Sequence, residues 1–153
     1  MVKAVKKAKA IKAVKAVKNK KAIESKIPNG ILAIRALAMP ADTNPNGDIF
    51  GGWVLSQMDM AGGIVTKKLT GNKTVTVAVN AMEFHLPVLV GDVLCCYVQQ
   101  QKVGRTSITV KIEAWVNRQF DNEMILVTEG IFTYVAIDDT RRPMVIKKVL
   151  EYF

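Results

Sequence analysis

The sequence predicts an α+β domain in which one long helix is wrapped by an antiparallel sheet of about five strands. Apolar residues recur at spacings of three and four in a single long segment, Gly52 to about Leu69, or about five helical turns. Four segments after it alternate in polarity or are rich in β-formers, and short turns join them. No strand–helix–strand rhythm follows, so the sheet is antiparallel. A chain of 153 residues with 50% apolar and 23% charged side chains can bury one core and is too short for two ordinary domains.

The elements follow in order. Residues 1–27 are a low-complexity extension and residues 28–153 the globular domain. Residues 1 to 22 hold nine lysines and no acid, repeating every three residues as VKA, VKK, AKA, IKA, VKA and VKN from Val2 to Asn19. At about 100° per residue, a three-residue repeat falls about 60° short of a helical turn, so the apolar stripe winds around the axis and no lasting amphipathic face forms. Pro28-Asn29-Gly30 is a turn signal, and Ile31 to Met39 reads as a first strand or extended segment. Pro40 to Gly47 is a loop by composition, the helix follows, and Thr70-Gly71-Asn72 ends it. Strands follow at 74–84, 90–101, 107–117 and 124–137, with a hairpin turn at Lys102 to Thr106 and a turn at Asp138 to Thr140.

The net charge of +9 belongs to the extension, because 22 basic residues less nine leaves 13, against 13 acidic residues in the chain. A neutral domain carries no specific nucleic-acid surface. The extension could still attract an acidic partner or an anionic membrane by charge alone. No run of 18 or more apolar residues and no signal-peptide pattern is present, so a soluble, cytoplasmic protein is expected. Cys95 and Cys96 are adjacent on a strand and point to opposite faces, so they read as reduced core residues.

The stretch NGDIFGGWVLSQMDM, residues 46 to 60, is the candidate site. Gly51 and Gly52 fall where a helix start collects free N–H groups and positive dipole, and glycine lets a carbonyl oxygen approach the backbone closely. Asp59 lies among core-type neighbours, where a carboxylate costs free energy unless it is partnered or used. Seven residues of helix rise about 10.5 Å, whereas a base and an oxyanion donor must both lie within about 3 Å of one reacting group. If both act, Asp59 must come from a second subunit across a two-fold axis. Asn46 and Asp48 complete the candidate site, although Asn, Asp and Gly before a helix equally make turns and caps. His85 is the one histidine, lies in a strand and reads as structural. No spaced Cys/His cluster supports a metal, and no phosphate-binding glycine motif is present.

Three separated blocks, LAMPADTNPNGDIFGGWVLSQMDMAGG (37 to 63), VTVAVNAMEFHLPVLVGDVLCCYV (75 to 98) and KVGRTSITVKIEAWV (102 to 116), closely resemble the bacterial YciA-type acyl-CoA thioesterases of the hotdog-fold superfamily. The resemblance covers roughly residues 30 to 143. It implies a hotdog fold, hydrolysis of acyl-CoA to CoA and a carboxylic acid, and dimers assembled three to a hexamer. No cofactor is implied, CoA being part of the substrate. The family's catalytic carboxylate matches Asp59, and its carbonyl-polarising glycine matches the Gly51-Gly52 pair. Related two-domain animal enzymes have asparagine where this chain has Asp48, which keeps an acceptor and removes an amide donor. The resemblance also implies that Lys102, Val103, Gly104, Arg105, Thr106 and Ser107 hold the nucleotide end of CoA, with Arg105 the foremost phosphate ligand. Val75 to Asn80, including Val77 and Asn80, would line the pantetheine channel. A non-catalytic acyl-CoA sensor and a scaffold displaying the basic extension are the alternatives from other classes.

Overall fold

The computed structural model describes residues 27–118 and 123–151, so the lysine-rich repeat lies outside the described residues. Five strands, β1 (Ile31–Leu37), β2 (Lys73–Phe84), β3 (Val93–Val103), β4 (Ser107–Asn117) and β5 (Met124–Ile137), and one helix, α1 (Gly51–Thr70), make up the domain. All strand pairs are antiparallel, in the order β1-β3-β4-β5-β2. The α+β expectation of one helix against five strands holds.

Several boundaries differ from the sequence reading: β3 runs on to Val103, so Lys102 is strand and not turn, His85 follows the end of β2, and two further differences have local reasons. The segment at 90–92 is a turn and not strand: Gly91 has φ +88°, and Asp92 Oδ2 accepts the Leu89 N–H at 2.9 Å. The first strand stops at Leu37, because the Ala38 N–H turns away to Asp92 O at 2.9 Å and Pro40, which has no N–H, opens a short 3-10 turn.

The alternation on β4 explains the layering. Ile108, Val110, Ile112, Ala114 and Val116 are fully buried, while Thr109, Lys111 and Glu113 face the other way. The inner row meets Val54, Met58, Ala61, Val65 and Leu69 of α1, a stripe spaced at three and four, and α1 touches all five strands. Burying each large apolar side chain is worth about 1.5–3 kcal/mol, so this seam is a substantial part of the driving force. Cys96 belongs to the same core and Cys95 lies on the opposite face. Both are free thiols, and burial, with Cys95 beside it, pushes the Cys96 thiol up to about 12.

Two apolar features are left uncovered. Met60 and Ile64 are exposed on α1, and β2 forms one end of the sheet with Val77 and Val79 exposed along it. An end strand presents unpaired N–H and C=O groups, a template for another chain.

Candidate active site

The loop before α1 is organised by Asn44. Its Oδ1 accepts the N–H of Asn46 at 2.9 Å and of Asp48 at 3.2 Å, and its own N–H donates to Asp48 O at 2.7 Å. That closed turn, with Gly47 at φ +86°, delivers Ile49 into the core. Asn46 is left exposed at the turn tip, whereas Asp48 is half-buried beside the helix start. With Gly51, Val54, Phe84, His85 and Thr128, Asp48 lines a cleft of about 300 Å³.

The helix start itself is bare. Phe50 takes the N-cap position, no side chain caps it among the described residues, and the first turn holds no acid. The first returning bonds run from the N–H of Trp53 and Val54 to Phe50 O, so the N–H groups of Gly51 and Gly52 precede the intrahelical ladder. A Cβ on Gly51 would come within 3.3 Å of the Phe84 ring, whereas one on Gly52 would meet nothing within 4 Å. Nothing in the chain itself requires glycine at 52.

Two turns along, Asp59 is half-buried and held by two hydroxyls. Thr76 donates to its Oδ1 at 2.6 Å, and Tyr134 to the same oxygen at 3.1 Å and to the Asp59 carbonyl at 2.9 Å. Thr76 and Tyr134 are partners across β2 and β5, so the sheet register aims both at one carboxylate. Burial, and then the Asp59 charge, push the Tyr134 hydroxyl well above the usual phenol range, which keeps it a donor. Gly62 is required here, since a Cβ on it would collide with the Tyr134 hydroxyl. Both donors fall on Oδ1, which leaves Oδ2 without a partner among the described residues.

The remaining candidates divide by place. Gly104 closes the β3–β4 hairpin by donating its N–H to Ser107 O at 2.7 Å; Lys102 near the end of β3 and Arg105 in the turn are both exposed. Thr106 gives its carbonyl to the Ala136 N–H and Arg105 to the Ile146 N–H, which ties the hairpin to the chain's last segment. Val77 and Asn80 are exposed on β2. The ten residues from Asp59 to Leu69 span about 15 Å along the helix, so Asp59 and the hairpin end of the domain are separate stations within one chain. Sequence reasoning missed Tyr134, Thr76 and Asn44. A tyrosine in the inward row Phe132, Tyr134, Ala136 was the available signal, because a buried phenol needs a partner.

A helix wrapped by an antiparallel sheet, with a bare glycine start and a carboxylate fixed midway by hydroxyls, defines a hotdog-fold thioesterase. The comparisons agree. Residues 46–119 match the Thioesterase superfamily. The chain is 51% identical over 122 residues to an uncharacterized acyl-CoA thioester hydrolase of Haemophilus influenzae, covering 78% of this chain and 79% of that one. It is 50% identical over 119 residues to the acyl-CoA thioester hydrolase YciA of Salmonella typhimurium, covering 76% and 90%. The crystal structure of a hexameric thioesterase from Yersinia pestis superimposes with a TM-score of 0.76 at 51% identity, over 80% of this chain and 99% of that one. This chain belongs to the YciA-type branch of the thioesterase superfamily.

Proposed function

We propose that this protein hydrolyses acyl-CoA to CoA and a free carboxylic acid at a site shared by two subunits. The observation that carries the reading is the anchoring of Asp59: two hydroxyls fix one oxygen of a carboxylate and leave the other for chemistry. The thioester carbonyl lies against the N–H groups of Gly51 and Gly52, where backbone donors and the helix dipole stabilise the developing oxyanion. Within one chain Asp59 is about 10.5 Å further along the helix, so the carboxylate at that carbonyl is Asp59 of the partner subunit.

Its Oδ2 either takes a proton from water, whose oxygen adds to the carbonyl carbon, or adds directly to form a mixed anhydride that water then opens. In both routes the carbon–sulfur bond breaks and CoA departs as a thiolate, a good leaving group that needs no strong general acid. Asp48 and Asn46 shape the loop beside the carbonyl site, and Asp48 lines the adjoining cleft. The pantetheine arm passes along β2 by Val77 and Asn80, and the phosphates meet Lys102 and Arg105, with Gly104, Thr106 and Ser107 shaping the turn.

The exposed β2 edge and the Met60 and Ile64 stripe suit pairing with a second copy, and the hexameric state of the Yersinia pestis relative supports three such dimers. No cofactor is needed for hydrolysis. Free cysteines fit the reducing cytoplasm, and among the described residues no helix is long and apolar enough to cross a membrane.

The test is CoA release from acyl-CoAs ranging from acetyl to palmitoyl, by wild type and Asp59→Asn. Wild type turns over, and the variant loses at least about a hundredfold in turnover while still binding CoA. Binding of acyl-CoA without hydrolysis by wild type would replace this reading with that of a sensor.

A further inference from the structure

Three glutamates stand in one row across the outer face of the sheet. Glu113 of β4 is paired with Glu129 of β5, and Glu129 with Glu83 of β2. Like charges directly opposite on neighbouring strands destabilise a sheet unless a cation intervenes. On one side a cation does: Lys111 Nζ lies 2.9 Å from Glu113 Oε1 and 2.6 Å from Glu129 Oε2. Glu113 also accepts the Trp115 indole N–H at 3.0 Å.

On the other side Glu83 has no hydrogen bond or ion pair among the described residues. What faces the Glu83–Glu129 pair is His85, with Nε2 at 3.1 Å from Glu129 Oε1. One donor atom from each of Glu83, His85 and Glu129 lies within 4.8 Å of the other two. A cavity of about 170 Å³ opens beside them, lined by Ala81, Glu83, Lys111 and Glu129.

We propose that Glu83, His85 and Glu129 form a binding site for a divalent transition-metal cation of the zinc type. Three carboxylates and one ammonium leave a net charge of about −2 in this row with the imidazole neutral, which a divalent cation cancels. An imidazole beside carboxylates favours zinc and its neighbours over magnesium or calcium, which take oxygen ligands alone. Two donors each about 2.1 Å from a metal lie about 3.0 Å apart at a right angle and about 3.4 Å apart at the tetrahedral angle. The observed 3.1 Å between Nε2 and Oε1 falls in that interval. Glu83 is exposed and closes the third position by a rotamer change.

Lys111 holds Glu129 by Oε2, which aims Oε1 at the site. The cation would brace the end of β2 against β5, next to Phe84, whose ring packs on Gly51 at the helix start. His85 also lines the cleft beside Gly51, so the cation would sit at the margin of the candidate active site, and its binding does not depend on hydrolysis.

The test is Zn²⁺ titration of the full, tag-free chain by calorimetry in a non-coordinating buffer, with His85→Gln and Glu83→Gln alongside. His85 is the only histidine and both cysteines are buried, so no second strong site competes among the described residues. Wild type is expected to bind about one Zn²⁺ per chain and to gain melting temperature on loading. Each variant binds at least about tenfold more weakly and gains less. Absence of saturable binding by wild type overturns the proposal. So does equal affinity in wild type and both variants, which would assign the heat to scattered surface carboxylates.

Discussion

The two ends of α1 are built to opposite standards. Its C-terminal end is finished: Gly71 takes the left-handed conformation at φ +66°, Lys67 and Lys68 lie in the last turn, and the Leu150 N–H donates to Leu69 O at 2.7 Å. Thr70 returns its hydroxyl to Thr66 O at 2.8 Å, and Asn72 donates its side-chain amide to Thr70 O at 2.9 Å. The N-terminal end has neither cap nor acid, and its first two residues are exposed glycines. A missing N-cap costs about 1 kcal/mol, and glycine in place of alanine about as much again. The bare end is the one at which the proposed site would hold the thioester carbonyl.

The largest expected effect breaks the contrast at the open end. Gly52→Val meets no atom of its own chain, so thermal stability should stay within a few degrees of wild type, while kcat/KM falls by about a hundredfold as the side chain blocks the carbonyl's approach. Next comes Tyr134→Phe, which removes a hydrogen bond to a carboxylate, worth about 1.5–3 kcal/mol. Turnover should drop by about tenfold, while CoA affinity, measured by calorimetry, holds.

At the closed end the signs reverse. Gly71→Ala forces a Cβ into left-handed backbone and should cost about 1–2 kcal/mol in denaturant unfolding, with kcat unchanged. The smallest effect is the most remote. Asp138 Oδ1 accepts the Arg142 N–H at 3.0 Å and both the hydroxyl and the N–H of Thr140, in the turn that starts the segment reaching Leu69. The Arg142 backbone bond, followed by the Thr140 hydroxyl, holds the Asp138 carboxyl below the usual carboxylate range. A depressed folded value means stability that is present above the unfolded pKa and lost as pH falls through the folded one. Asp138→Asn should therefore lower the melting temperature slightly at neutral pH, converge with wild type in acid, and so flatten the acid limb of a melting profile.

Much of this was legible in the sequence, and the limits have physical causes. The helix and the strand at 124–137 were readable because a long period survives local noise. The turn at Val90–Asp92 was not, because Val88, Leu89 and Val90 are β-formers and only the Asp92 side chain reveals the turn. Asp59 was readable as an acid among apolar neighbours, and its distance from Gly52 followed from helical rise alone. Its partners Thr76 and Tyr134 lie on two strands whose pairing only the register discloses. The same holds for Glu83, His85 and Glu129: along the chain they form no ligand motif, and cross-strand pairing brings them together.

The central claim is that one active site takes Gly52 from one chain and Asp59 from the other. Co-expression of Asp59→Asn and Gly52→Val chains under separate affinity tags, with mixed oligomers isolated through both tags, tests it directly. In a mixed dimer one site inherits both intact residues and the other neither, so CoA release should rise far above either parent, toward about half the wild-type rate per dimer. Mixed oligomers no more active than the two parents would mean that both residues serve within one chain, and the shared site would be wrong.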